Sequence, residues 1–230
     1  MVRTRIAVSV LLTSLFLVVL IIPAWAASKA DDEQTLRNGA NVLQAMLDSK
    51  DIPPDVIAKA DCIIVLPSVK KFAVGIGGTG GRGPMSCRGG KNFTGKWSAP
   101  SMYSVGGASA GLQLGGTATD YVLLLMSDQA VDKVLNGKVK VGTDITAAAG
   151  PGASAPTKNS ADMLTYSRTK GVFAGVSLSG VTLDPGTDAN TRLYGKEVSA
   201  TQIVRDNAVK PTPGGQALIT VLNSKAAKHE

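Results

Sequence analysis

Three glycines, Gly75, Gly77 and Gly80, follow an apolar run that starts at Phe72. They spell G-x-G-x-x-G, a loop that could present backbone N–H groups to a dinucleotide pyrophosphate. That chemistry also needs a helix beginning at the loop, with its N-terminal N–H groups aimed at the phosphates. The chain instead continues Gly81-Arg82-Gly83-Pro84, which does not start a helix cleanly, so nucleotide binding is not expected. The single histidine is His229, next to the last residue given, which argues against histidine acid–base catalysis and histidine metal ligation. Neither Cys62 nor Cys87 has a histidine neighbour to activate it. Asp120 with Asp128, or Asp184 with Asp188, could supply paired carboxylates for glycosidic chemistry, but turns and helix caps are the simpler use of Asp. No catalytic set is complete, so neither an enzyme activity nor a cofactor nor a metal is expected.

Side chains that could bind are more concentrated. Lys70, Lys71, Arg82, Arg88 and Lys91 surround the glycine run, and such a basic cluster suits phosphate contacts as well as plain solvation. Trp97 stands beside Lys96, a pairing that fits a membrane interface or, equally, a core position. The whole chain carries 24 basic and 17 acidic residues, a formal charge of +7. Arg3 and Arg5, the run Ile6–Ile22 and the motif Ala24-Trp25-Ala26 read as a signal peptide (residues 1–26) cleaved after Ala26, with a membrane anchor as the alternative. Cleavage would leave 22 basic against 17 acidic residues, a charge of +5, and a periplasmic or secreted protein biased toward anionic partners. In such an oxidising compartment the two cysteines, Cys62 and Cys87, are expected to pair, two buried thiols being the alternative.

The elements that must position these residues follow from periodicity. Leu36, Ala40, Leu43 and Leu47 recur at helical spacing, with Asp31 or Asp32 as N-cap, and Pro54 opens a short second helix through Lys59. β-branched runs at Ile63–Leu66, Phe72–Ile76, Met102–Val105, Leu112–Leu114, Tyr121–Met126, Val139–Ile145, Met163–Tyr166 and Val172–Leu183 predict strands. Ser127 caps a helix carrying Val131, Val134 and Leu135 that ends at Gly137. Ala147–Pro156 is a predicted loop or lid, Ser199 and Gln202 form a capping box, and a last helix covers Gln216–Leu222. The fold class is α+β: a curled or barrel-like, glycine-rich and mainly antiparallel sheet with flanking helices. Its glycines either let strands bend and pack closely or bare the backbone to a ligand.

The order of several blocks carries a resemblance. They are Cys62-Ile63-Ile64-Val65-Leu66-Pro67-Ser68-Val69-Lys70-Lys71, Trp97-Ser98-Ala99-Pro100, Tyr121-Val122-Leu123-Leu124-Leu125-Met126 and Lys140-Val141-Gly142-Thr143-Asp144. Thr165-Tyr166-Ser167-Arg168, Gly171-Val172-Phe173-Ala174-Gly175-Val176 and Leu193-Tyr194-Gly195 complete the series. In this order they resemble the SYLF domain family over roughly residues 32–222, leaving 223–230 as a flexible tail. The resemblance implies a non-enzymatic lipid-binding domain, because eukaryotic members bind phosphoinositides and yeast members also bind actin filaments. For a secreted bacterial member, the expected partner is an acidic phospholipid surface in the envelope, met by Lys70, Lys71, Arg82, Arg88, Lys91 and Trp97, with no nucleic acid. The alternative is a structural or protein-interaction domain of the envelope.

Overall fold

The computed structural model describes residues 27–74, 76–90, 92–110, 115–150, 161–169, 171–173, 178 and 180–226. The expected signal peptide, Lys91, the expected strand Leu112–Leu114, residues 151–160 of the expected lid and residues 227–230 of the expected tail lie outside the described residues.

Helix α1 spans Lys29–Asp48 and presents Leu36, Ala40, Leu43 and Met46 to the core. It starts before Asp32 because Ser28, rather than Asp31 or Asp32, is the N-cap. Ser28 Oγ accepts the Asp31 N–H at 3.2 Å while Asp31 Oδ2 accepts the Ser28 N–H at 2.8 Å, a reciprocal capping box. Helix α2, Pro54–Ala58, has Pro at its first position as expected.

The strands are β1 (Cys62–Val74), β2 (Ile76–Cys87), β3 (Ser101–Ala110), β4 (Gly115–Leu125), β5 (Val139–Lys140), β6 (Ala147–Ala149), β7 (Met163–Thr169), β8 (Val172–Phe173) and β9 (Thr182–Pro185). They form one sheet in the order β5-β9-β3-β2-β1-β4-β7-β6, with β8 beside β7. Every pairing is antiparallel except β6 with β7. Helices α3 (Asp128–Leu135), α4 (Thr187–Tyr194), α5 (Ala200–Val204) and α6 (Pro213–Lys225) complete the α+β fold.

Alternation along β1 decides what covers each face of the sheet. Ile63 and Val65 face α1, α2 and α6 through Leu43, Met46, Val56, Ile57, Leu218 and Leu222. Cys62, Ile64 and Leu66 face the opposite layer, where α3 and α5 contribute Val131, Val134, Ile203 and Val204. Each fully buried Leu, Ile or Val contributes about 1.5–3 kcal/mol by leaving water, so these two layers account for most of the driving force.

The expected elements change in five places, the first being the strand expected over Val139–Ile145, of which only β5 forms before the chain turns at residues 142–144. The glycine run is no loop: Gly77–Cys87 belongs to β2, and two expected strands merge into the long β1. Between them β1 carries an irregularity at Pro67-Ser68, where its register shifts against both neighbours. Ser68 has φ 51° and its N–H donates to Asp120 Oδ1 at 2.7 Å. Ala147–Ala149 is a short strand rather than part of a loop, because it pairs in parallel with Met163–Thr165. The segment expected as one strand over Val172–Leu183 holds β8 and β9, and α4 follows where no helix is predicted. Helix α6 starts earlier and ends later than expected, capped by Thr212 with Pro213 at its first turn, so residues 223–225 are helical.

Gly83 explains why some of the glycines are needed. A Cβ there would stand 1.8 Å from the Val65 carbonyl oxygen, and one at Gly81 would stand 2.8 Å from Val69 Cγ2. Close packing across the β1 irregularity therefore requires glycine at these positions. Gly80 and Gly106 are different, since a Cβ at either would meet nothing within 4 Å.

Candidate functional site

The basic residues singled out from sequence separate into three settings. Arg88 is buried, and its Nη2 donates to the Ala226 carbonyl at 2.6 Å, at the C-terminus of α6. A cation there complements the negative end of the helix dipole. The guanidinium also lies over the Trp97 ring at 4.3 Å. Burial lowers the Arg88 pKa from its ordinary value, and the Asp61 carboxylate opposes that shift. Trp97 is itself only 6 % exposed, so of its two readings the core position is the one observed. The two residues lock the end of β2 to α6 rather than facing outward.

Arg82 is fixed from another direction. Its Nη1 donates to Asp32 Oδ1 at 2.5 Å, and Arg192 Nε donates to Asp32 Oδ2 at 2.8 Å. The Asp32 side chain is fully buried between these guanidiniums, and its hydrogen bond raises the Arg192 pKa. Both arginines remain about a third exposed and line a cleft of about 460 Å³ that also holds Asp184 and Asp188. That cleft mixes both signs of charge. Asp184 pairs with Lys138 at 3.0 Å and Asp188 sits in the first turn of α4. The other carboxylate couple is equally structural: Asp120 supports the β1 irregularity and Asp128 lies in the first turn of α3. Cys62 and Cys87 face each other in the β1/β2 register and form a disulfide.

Lys70 and Lys71 occupy the third setting. Neither has an ion-pair partner among the described residues. Lys70 is exposed, whereas Lys71 is half-buried with its Nζ 5.7 Å from the Tyr121 ring centroid. As consecutive strand residues they project from opposite faces of the sheet. Lys70 stands where the sheet is bare, whereas Thr79, the β2 partner of Lys71, is buried. Lys70 pairs with Gly80 and Ala118, and Lys71 with Thr79 and Thr117. Beyond them β1 continues to Val74 against Ile76 and Gly77 on one side and Gly115 on the other.

At this end Gly116, Thr117 and Ala118 are exposed in succession on β4, and Gly106 and Ala108 are exposed on β3. Successive exposure means that neither face of the β4 end is covered. The β7–β8 turn reaches the same end, where Val172 is 69 % exposed, the one large apolar side chain that is exposed among the described residues. The sequence carries no charge from Phe72 to Gly81, from Trp97 to Thr119, or from Gly171 to Leu183. That triple absence of charge is the sequence sign of this surface.

Among the described residues no group of His, Cys, Asp and Glu could hold a metal, and no helix is long and apolar enough to cross a membrane. Comparison with known proteins finds a match to the family described as "Ysc84: Las17-binding protein actin regulator" over residues 106–225. An SH3 domain-containing protein of Schizosaccharomyces pombe is 36% identical over 182 residues, 76% of this chain and 41% of its own length. LAS seventeen-binding protein 3 of Saccharomyces cerevisiae is 33% identical over 183 residues, 76% of this chain and 39% of the relative. SH3 domain-containing YSC84-like protein 1 of Mus musculus is 33% identical over 204 residues, 86% of this chain and 56% of the relative. The chain thus spans about half or less of the length of these relatives.

Proposed function

The chain belongs to the Ysc84 (SYLF) family, and from that premise we propose that it is a non-enzymatic module that binds acidic phospholipid at a membrane surface. The envelope of a bacterium is the proposed setting, reached through the signal peptide read from the first 26 residues.

The observation that carries the proposal is the placement of Lys70 and Lys71, two cations without carboxylate partners among the described residues, at an uncharged end of the sheet. Each Lys or Arg near an anionic membrane contributes about 1 kcal/mol, and the attraction fades within a Debye length of roughly 8 Å at physiological salt. Arg82 is partly exposed but already shares Asp32, so it contributes less; Arg88 and Trp97 act inside the fold. Sedimentation with liposomes across a series of head groups tests the reading. Binding that requires acidic lipid supports it, and equal binding to neutral and acidic vesicles, or none to either, overturns it.

A second reading draws on the family description, which names an actin regulator. Under it the module binds a protein filament of actin type. Co-sedimentation with filamentous actin, in the absence of lipid, separates the two.

A further inference from the structure

We propose that the cleft between β3, β9 and α4 is a binding site for a compact zwitterion, a phosphate ester carrying a primary ammonium, such as an ethanolamine phospholipid presents at its head group. This deepens the lipid-binding reading, on which the source of the ligand rests, and it assigns a site apart from Lys70 and Lys71.

The floor of the cleft follows from strand register. Arg82 on β2 pairs with Ser104 on β3, and Ser104 pairs with Asp184 on β9. Directly paired residues share a face of the sheet, so a guanidinium, a hydroxyl and a carboxylate lie in one row across three strands. At about 4.8 Å per strand, the row sets the Arg82 and Asp184 backbones roughly 10 Å apart. One wall is α4, where Asp188 and Arg192 are four residues apart and so lie on the same side of the helix. All five residues line the cleft of about 460 Å³.

Charge is segregated within this space. Arg82 and Arg192 both donate to the buried Asp32 carboxylate, which holds the two guanidiniums together at one end. Asp184 marks the far end of the floor row, and Asp188 stands one helical turn before Arg192 on the wall. Asp32 occupies only Nη1 of Arg82 and Nε and Nη2 of Arg192. The remaining guanidinium donors have no hydrogen-bond partner among the described residues, and both side chains are about a third exposed. Such donors suit an oxyanion held by forked N–H groups. At the other end Asp184 and Asp188 can accept from an ammonium, because Lys138, the partner of Asp184, is itself 72 % exposed and holds it weakly.

The balance of charge is the reason for a ligand of both signs. Arg82 and Arg192 offset Asp184 and Asp188 in the lining, Asp32 and Lys138 offset each other behind it, and the first turn of α1 adds Asp31 outside. Net charge therefore gives a lone phosphate no attraction, whereas a dipole aligned with the row gains at both ends. Lys70 pairs with Gly80, two residues from Arg82, so it is the diagonal neighbour of Arg82 on the same face. The cleft thus opens beside the surface proposed to meet acidic lipid. The competing account is a solvated corner in which Asp188 and Arg192 serve only each other along α4.

The test titrates the intact processed chain calorimetrically with glycerophosphoethanolamine, and with inorganic phosphate and ethanolamine as its separated halves. The ester is expected to bind at least roughly tenfold more tightly than either half, the worth of one charge-assisted hydrogen bond. Asp184→Asn with Asp188→Asn is expected to abolish that preference while phosphate binds as well or better, a change that loss of folding would not produce. A second series holds phosphatidylglycerol constant in vesicles and exchanges phosphatidylcholine for phosphatidylethanolamine. A gain in affinity that the double variant lacks supports the head group as the source, and no gain while the soluble ester still binds keeps the site and assigns it to a free ester. Equal binding of the ester and its halves, or a preference unchanged in the double variant, overturns the site whatever the vesicles do. Failure of the unaltered protein to bind any vesicle, with the ester still bound, overturns the lipid reading instead.

Discussion

Arg82 Nη1 donates to Asp32 Oδ1 at 2.5 Å, joining the first turns of α1 to the middle of β2. Asp32 is fully buried, while Arg82 and Arg192 keep about a third of their side chains exposed. Removing the carboxylate leaves two arginines that can turn toward water, so Asp32→Ala is expected to cost about 2 kcal/mol, below the 3–5 kcal/mol typical of breaking a fully buried pair. Urea denaturation measures it. Arg82→Gln leaves Asp32 with Arg192 and is expected to cost less, with vesicle binding close to unchanged.

Arg88 makes a different contribution from its sequence neighbours. Replacing it by Leu leaves the Ala226 carbonyl without its 2.6 Å donor and removes the guanidinium from the Trp97 ring. A loss of about 2–3 kcal/mol is expected from the charged hydrogen bond and the ring contact together. Binding to acidic vesicles, measured per folded molecule, is expected to hold. A selective loss of binding at unchanged stability would place Arg88 at the membrane instead.

The Cys62–Cys87 disulfide joins two directly paired strand residues 25 positions apart. Replacing both cysteines by Ser is expected to destabilise the domain by roughly 3 kcal/mol, the figure for closing a loop of this size. Denatured but unreduced protein should show no reactive thiol by titration.

Glycine positions sort by what a side chain would meet. Gly83→Ala drives a Cβ into the Val65 carbonyl oxygen and is expected to destabilise by more than about 3 kcal/mol, because backbone must move. Gly106→Ala enters open space and is expected to be neutral, or to stabilise by up to about 1 kcal/mol through the unfolded chain. Thermal melts of the two variants distinguish them. Equal effects would mean that close packing is not what keeps Gly83 a glycine.

Much of this architecture is legible from local pattern. The stripe Leu36-Ala40-Leu43, the Pro54 start, the Ser127 cap and the Ser199–Gln202 box each act within a few residues, and each appears where expected. What pattern could not supply depends on partners distant in sequence. Arg82-Gly83-Pro84 resembles a loop by composition, yet Gly83 is in a strand because it pairs with Tyr103 of β3, and it is a glycine because Val65 and Pro67 press against it from β1. Arg88 resembles a surface cation until the carbonyl of Ala226, 138 residues later, is seen to accept its hydrogen bond. The sequence cluster of cations is dispersed for the same reason, since neighbours along a strand alternate between faces. Lys70 and Lys71 stand beyond the buried Val69, on the part of β1 that runs on to Val74.

The most direct measurement is the affinity of the doubly reversed chain, Lys70→Glu with Lys71→Glu, for anionic vesicles at low salt. Two attractions become two repulsions, so affinity is expected to fall by well over tenfold, while weak association with neutral vesicles stays as it was and circular dichroism shows an unaltered fold. Unchanged sedimentation of the folded double variant with anionic liposomes would contradict the account.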